Sequence, residues 1–178
     1  MLAYYGIKDV RIVRSEKMLS DHYNPLTKTV ALSPHVYDGR SIASTAVAAH
    51  EVGHAVQHHQ AYPMLKMRSA LVPLVKMASI AQGGLLMVAL LMAESFPQLL
   101  LLVVIAFMVT TFFSLITLPV EFDASNRALN WLEETQFTTA NEHEGAKDAL
   151  WWAAMTYVAA ALSSLAILIF LILSYRKR

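Results

Sequence analysis

The chain has 178 residues, the size of one ordinary domain, so a small lobe outside the membrane and a few membrane segments use up its length. Hydrophobic residues make up 56% and charged residues only 15%, against about 25% charged residues in an average soluble domain, which indicates a membrane protein. The 14 basic and 13 acidic residues are mixed along the chain, which argues against a nucleic-acid partner, and the lack of cysteine excludes disulfides, thiol nucleophiles and cysteine-ligated metals.

The first 68 residues are predicted to form the lobe outside the membrane, because charged and turn-forming residues recur and no apolar run is long enough to cross a bilayer. Alternating apolar and basic residues predict a strand at 10–14, and a second strand is predicted at 27–32. Ser33-Pro34 predicts a helix start with Ser33 as the capping residue. A longer helix is expected from about residue 40 to residue 60, which makes the lobe a small α+β unit.

Three apolar stretches follow, each about the twenty residues that cross a bilayer: 71–93, 99–118 and 152–173. The first carries Lys76 near its start, where the side chain can reach the membrane surface, and an amphipathic helix leading into a shorter span is an alternative there. A polar turn at 94–97 predicts that residues 69–118 form a transmembrane hairpin. Residues 151–178 are predicted to form a third spanning helix with a basic tail.

A polar insert at residues 119–150 separates the second and third apolar stretches. Its composition predicts helices, with Pro119 in a first turn and a capping box at Thr139-Ala140-Asn141-Glu142. The predicted protein is therefore a small lobe combined with a mainly helical membrane part.

The sequence His50-Glu51-Val52-Gly53-His54 lies in the middle of the long helix predicted in the lobe. Residues four apart share a helix face, so the imidazoles of His50 and His54 can bind one tetrahedral ion, with Glu51 within reach of a metal-bound water. Zinc lowers the pKa of such a water from 15.7 to about 7, and a neighbouring carboxylate can then take its proton. The motif predicts one catalytic Zn²⁺ with Glu51 as the general base.

A catalytic zinc normally has a third protein ligand. His58 continues the spacing, but it lies about 12 Å from His50 along a straight helix, so we expect it to be a polar residue at the helix end. Glu121 is favoured, because two membrane crossings after His54 return the chain to the same side. Asp123 is the competitor, and it points about 160° to 200° away from Glu121 on a helix, so only one of the two carboxylates can face the ion.

Four segments together carry a resemblance to a known family: residues 21–25 (DHYNP), 29–33 (TVALS), 48–55 (AAHEVGHA) and 121–125 (EFDAS). They resemble the YugP-type membrane zinc metallopeptidases, which are similar to the HtpX-type gluzincins, and the resemblance covers nearly the whole chain. It implies a zincin-like lobe with an HExxH helix, zinc metalloendopeptidase activity on peptides or proteins, membrane proteins among them, and a place in a bacterial cell membrane. It also implies His50, His54 and Glu121 as zinc ligands and Glu51 as the base.

The sequence departs from the resembling families at two places. HtpX-type members carry Glu-x-x-x-Asp, whose Asp supports a zinc-bound histidine, whereas Ser125 stands at that place here. Asp123 and Ser125 are the candidate substitutes for this supporting role. YugP-type members usually begin with a hydrophobic helix that this sequence does not show, so we expect either a shortened member or a true start upstream of Met1.

A peptide substrate is expected to lie extended against the strand at 28–32, adding itself to the sheet edge. The oxyanion that forms during hydrolysis needs a hydrogen-bond donor besides the zinc. Five residues are chemically able to serve: His22, Tyr23, Asn126, Arg127 and His143. The sequence does not choose among them.

Two rival functions are compatible with parts of the sequence. The first is a non-enzymatic metal-binding membrane protein, a sensor or transporter, that uses the seven histidines. The second is an intramembrane metalloprotease, which the polar run at 57–60 argues against, because four polar residues would end a buried span.

The membrane orientation is not decided by the basic residues. The basic tail at 176–178 lies on the opposite side of the membrane from a second basic group, made of Lys66, Arg68, Arg127 and Lys147. Basic residues favour the cytoplasmic side, so the two groups predict opposite orientations. The resemblance to HtpX-type enzymes implies an active site that faces the cytoplasm.

Overall fold

The computed structural model describes residues 1–92 and 95–176, and within them it contains three short strands and five helices. These are β1 (Arg11–Arg14), β2 (His22–Asn24), β3 (Thr29–Leu32), α1 (Pro34–Tyr37), α2 (Ile42–His59), α3 (Pro63–Leu91), α4 (Pro97–Glu134) and α5 (Ala140–Arg176). Four residues lie outside the described ones: Ala93, the last of the first apolar stretch; Glu94, the first of the predicted turn; and Lys177 and Arg178 of the basic tail.

The strands form one sheet in the order β1-β3-β2, with β1 parallel and β2 antiparallel to β3. Both predicted strands are confirmed with slightly shorter bounds. The strand β2 was missed, because its three residues carry no apolar alternation and its pairing depends on β3. Since β3 is paired on both sides, the expectation that a peptide adds to residues 28–32 is wrong, and β1 and β2 form the edges of the sheet.

The two helices after the sheet begin close to the predicted residues. Helix α1 starts at Pro34, but Ser33 does not cap it with its side chain. The amide and the hydroxyl of Ser33 both donate to the carboxylate of Asp21, at 2.7 and 2.9 Å, which ties the end of β3 to the segment before β2. Helix α2 is capped by Ser41, whose hydroxyl accepts a hydrogen bond from the amide of Ser44 at 3.1 Å.

Helix α4 corrects the prediction that a new helix starts at Pro119. It runs without interruption from Pro97 to Glu134, with Pro119 inside it. A proline inside a helix removes one backbone hydrogen-bond donor. In an apolar helix, neighbouring helices and side chains can compensate for the lost hydrogen bond, so the helix can continue through the proline. The capping box is confirmed: the amide and hydroxyl of Thr139 donate to the Glu142 carboxylate at 2.8 and 2.7 Å, and α5 begins at Ala140.

The chain divides into two compact units, one formed by Met1–Leu65 with Pro119–Met155, the other by Lys66–Leu118 with Thr156–Arg178. In the first unit, one face of α2 packs on β3 through Val30, Val52 and Val56. Another apolar cluster joins α2 to the segments of α4 and α5 in this unit, and it is made largely of small side chains: Ala46, Ala49, Ala128, Leu132, Ala146 and Leu150. The division at 68, 118 and 150 that the sequence predicted stays a prediction.

The second unit is helical. Within the described part of the chain, the three predicted apolar stretches fall in α3, α4 and α5, which are long and apolar enough to cross a membrane. Ala89 of α3 packs near Leu100 and Val103 of α4, and the Gln82 side chain donates to the Thr110 hydroxyl at 2.7 Å, so these helices run antiparallel. The transmembrane hairpin at 69–118 stays a prediction. Helix α3 begins at Pro63, so the approach to the first span and the span itself are one helix. The protein is thus mostly helical with a small sheet, and the zincin-like character of the lobe stays a prediction.

Candidate metal centre

Helix α2 presents His50 and His54 on one face, one turn apart, as the spacing predicts. Their rings meet edge to face with centroids 4.8 Å apart. Glu51, which follows His50 in the motif, is buried like His54, with 9% of its surface exposed, whereas His50 is half-buried. The helix therefore holds two imidazoles and one carboxyl group close together and largely away from solvent.

Glu121 of α4 completes a cluster of three metal-binding side chains. Its Oε2 lies 3.3 Å from Nε2 of His50 and 3.5 Å from Nε2 of His54. Donor atoms in a tetrahedral zinc site, each about 2.0–2.2 Å from the ion, lie about 3.3–3.6 Å from one another. The donor atoms of the three residues lie within 4.8 Å of one another. The nitrogen and oxygen donors and their spacing therefore fit a zinc ion with an open fourth position.

The close approach of α4 to α2 depends on Gly53. A Cβ atom at this position would lie 2.6 Å from the backbone oxygen of Ala124 and 3.2 Å from its Cα. These are backbone atoms of α4, which cannot move aside as a flexible side chain would. The glycine between the two histidines thus allows Glu121 to reach them.

The other nitrogen of each imidazole is hydrogen-bonded away from the cluster. The Nδ1 of His50 lies 3.0 Å from the hydroxyl of Ser125, and the Nδ1 of His54 lies 3.0 Å from Oε1 of Gln57. Such outer contacts fix the orientation and the protonated nitrogen of a metal-binding histidine. Both rings are therefore held with Nε2 directed at Glu121.

Burial and neighbouring charges set the ionisation of the groups on α2. Burial raises the pKa of Glu51, with Glu121 and Asp21 acting in the same direction and His54 and His50 against it. Burial disfavours the charged form of His54, but the hydrogen bond and the charge of Glu121 outweigh it, so the pKa of His54 is raised. A carboxyl group with a raised pKa is suited to accept and then return a proton near neutral pH.

Asp123 faces away from the three clustered residues, so only Glu121, one of the two candidate carboxylates on α4, joins the histidines. Its Oδ2 accepts hydrogen bonds from Nε2 of Gln57 at 2.7 Å and from Nε of Arg127 at 2.5 Å. Arg127 also donates to Oε1 of Gln60 at 2.6 Å. Asp123 and Arg127 thus belong to a polar network behind the histidines.

The remaining candidates from the sequence are not part of the group of three clustered residues. The Tyr23 hydroxyl lies 2.7 Å from Nδ1 of His58, and Nδ1 of His22 lies 2.8 Å from the carbonyl oxygen of Ser20. Asn126 is exposed and His143 is half-buried. Among the described residues, His50, His54 and Glu121 are the one group of three or more such side chains that could hold a metal, and His58 is not part of it.

Gln57 was missed as a functional candidate. The sequence placed it in a polar run at a helix end, but its side chain is 0% exposed and contacts both His54 and α4. One signal could have identified it: position 57 lies three residues after His54 and seven after His50, on the same helix face. Its burial, however, depends on α4.

Comparisons with known proteins agree with this geometry. Residues 1–176 match the family described as "putative neutral zinc metallopeptidase". The chain is 44% identical over 165 residues to the "Putative membrane protease YugP" of Bacillus subtilis (strain 168), an overlap of 90% of this chain and 70% of that relative. No solved structure matches the chain. The extent of both matches shows that the chain belongs to the putative neutral zinc metallopeptidase family.

Proposed function

We propose that the chain is a membrane-bound zinc endopeptidase in which His50, His54 and Glu121 hold one Zn²⁺ and Glu51 is the general base. The observation that carries the proposal is the spacing of three metal-binding atoms around one point, next to a buried carboxyl group. Family membership supports zinc-dependent proteolysis, and the endopeptidase type rests on the resemblance to HtpX-type enzymes. Peptides and proteins are the proposed substrates, membrane proteins among them, because the chain has helices that can span a bilayer.

The chemistry divides between the ion and the chain. A bound zinc ion supplies Lewis acidity, which lowers the pKa of a water molecule to about 7 and polarises the scissile carbonyl. Glu51 takes the proton as the water oxygen attacks the carbonyl carbon. It then delivers this proton to the leaving amine as the carbon–nitrogen bond breaks, which regenerates the carboxylate.

The edge strand β2 is the proposed docking edge for the substrate. Its Tyr23 contacts His58, which lies one turn beyond His54 on α2, so this edge of the sheet is close to the metal helix. An extended peptide can pair with the backbone of an edge strand, and this gives affinity that is independent of the peptide sequence. Cleavage sites in a digested protein substrate should then lie inside the chain and in extended segments.

The substitution Glu51→Gln tests the proposed base. It keeps the shape of the side chain but removes its ability to take a proton, so we expect hydrolysis of a quenched fluorescent peptide to fall by at least about a hundredfold. The zinc content of the purified protein, measured by mass spectrometry of the metal, should stay near one ion per chain. Glu133→Gln is the matched control, since Glu133 is an exposed residue of α4.

The same experiment separates the two candidate functions. Hydrolysis that survives Glu51→Gln would rule out Glu51 as the base. A wild-type protein that binds zinc at the three residues but cleaves no peptide would favour the non-enzymatic sensor or transporter.

We further propose that the protein lies in the bacterial cell membrane with its active site facing the cytoplasm. Arg14 and Lys28 lie in the unit that carries the metal centre and are exposed, so trypsin can reach them from one side of a sealed membrane. In right-side-out vesicles these sites should resist trypsin, and in inverted vesicles they should be cleaved. The opposite result would place the site outside the cytoplasm.

A further inference from the structure

The side chain of Gln57 lies at the centre of a buried polar network behind the metal centre. It is 0% exposed, and both ends of its amide are used. Its Oε1 lies 3.0 Å from Nδ1 of His54, and its Nε2 donates to the carbonyl oxygen of Val120 at 2.7 Å and to Oδ2 of Asp123 at 2.7 Å. A buried amide with every contact satisfied has one fixed orientation.

The chemistry of these partners determines that orientation. The carbonyl of Val120 can only accept, and Oδ2 of Asp123 is the oxygen that also accepts from Arg127, so both require the NH₂ group of Gln57. The amide oxygen is then directed at His54. Since this oxygen can only accept, Nδ1 of His54 must carry a hydrogen, and in a neutral imidazole the lone pair is then on Nε2.

We propose that Gln57 is a positioning residue that holds His54 as the tautomer with a metal-binding Nε2, and that Asp123 holds Gln57. This inference rests on the proposed function, because it assigns a role toward the same zinc ion. The aspartate that HtpX-type members place at the position of Ser125 thus has two counterparts here. Ser125 contacts His50 directly, and Asp123 acts on His54 through the amide.

The network extends past Asp123 to the surface of the unit. Arg127 donates to Oδ2 of Asp123, the same oxygen that accepts from Gln57, and it also donates to Gln60. Its guanidinium lies 5.8 Å from the centre of the Tyr62 ring. These contacts anchor the outer end of the network to the residues that follow α2.

The first test is zinc affinity in the purified full-length protein, measured by competition with a chromophoric chelator. Gln57→Leu removes the acceptor from His54, and we expect zinc affinity to fall about 10- to 100-fold, the usual effect of losing such an outer partner. Gln98→Leu is the matched control, because it is the same substitution at an exposed glutamine of α4 outside this network, and it should leave zinc affinity unchanged.

A second pair of variants covers the case in which Gln57→Leu does not fold. Gln57→Glu keeps an acceptor for His54 but brings a second carboxylate against Asp123, so zinc affinity should fall. Adding Asp123→Asn supplies a hydrogen-bond donor between residues 57 and 123. We expect zinc affinity to recover only in part, because the carbonyl of Val120 still has no donor from residue 57. A purely structural role would not make the second substitution compensate for the first.

The tautomer itself can be observed in protein labelled with ¹⁵N-histidine. The zinc-loaded wild type should show a hydrogen-bonded Nδ1–H proton for His54, and Gln57→Leu should weaken or remove it. If the wild type binds zinc and hydrolyses peptide while Gln57→Leu binds zinc as tightly, the positioning role is wrong and the proposed function stands. If the wild type binds no zinc at His50, His54 and Glu121, the positioning role and the proposed function are both wrong.

Discussion

At the scale of single residues, Glu121 makes the largest difference to the site. It is 2% exposed and lies against two imidazoles, so its negative charge raises the pKa of His54 and favours a cation between the three side chains. Two neutral histidines and one carboxylate leave a net charge of −1, which offsets part of the charge of a divalent ion.

The substitution Glu121→Gln keeps the volume of the side chain and removes its charge. We expect a loss of zinc affinity larger than the approximately 10- to 100-fold loss for an outer partner such as Gln57, because a direct ligand is weakened. Equilibrium dialysis against buffered zinc measures it. Glu134→Gln, on the exposed end of the same helix, serves as control, and equal affinities for Glu121→Gln and the wild type would remove Glu121 from the ligand set.

At the scale of elements, the metal centre is an interface between two helices. Helix α2 supplies the two histidines and the proposed base, whereas α4 supplies Glu121 and Ser125. The backbones approach most closely where Gly53 faces Ala124. The distance between α2 and α4 therefore controls whether the three donor atoms can share one ion.

Gly53→Ala is predicted to separate these helices. Its Cβ would lie 2.6 Å from a backbone oxygen of α4, so the two helices must shift apart. We expect zinc affinity to fall, and the free energy of unfolding to fall by about 1–3 kcal/mol, as for overpacking in a core. Gly84→Ala is the control, because no atom lies within 4 Å of the Cβ it would add. Zinc titration and thermal unfolding of both variants check the prediction, which fails if they behave alike.

At the scale of the whole molecule, zinc binding and stability should be linked through pH. In protein stripped of zinc, the pKa values of His54 and Glu51 are both raised. A group whose pKa is raised by folding stabilises the fold below its unfolded pKa and loses that contribution as pH rises through the folded value. Both groups therefore favour the zinc-free fold at lower pH, whereas zinc needs the neutral imidazoles.

We expect the difference in Tm between zinc-loaded and zinc-stripped protein to grow as pH rises above the ordinary histidine pKa of 6.5. Thermal unfolding at a series of pH values, with and without a chelator, measures this difference, and titrating groups elsewhere in the chain cancel out. In Glu121→Gln the dependence should be flatter, since the charge that raises the pKa of His54 is gone. A difference that is constant with pH would contradict the linkage.

Much of the fold and of the candidate site could be predicted from the sequence, because the relevant signals are local. The spacing of His50 and His54, the apolar stretches now in α3, α4 and α5, and the capping box at Thr139 all follow from helix geometry or segment length. The strand β2 and the uninterrupted helix through Pro119 could not be predicted in this way. Both depend on neighbours that are distant in sequence.

By itself, the sequence determined that the protein has a motif able to bind zinc, a carboxylate beside it and three segments long enough to span a membrane. Only the tertiary structure decided which carboxylate of α4 lies against the histidines, and that Ser125 and Gln57 contact the Nδ1 atoms of the two imidazoles. The physical reason is that a metal-binding motif is set by periodicity within one helix. The contacts that complete it depend on how closely α4 packs against α2, where Gly53 leaves room for the helix that brings Glu121.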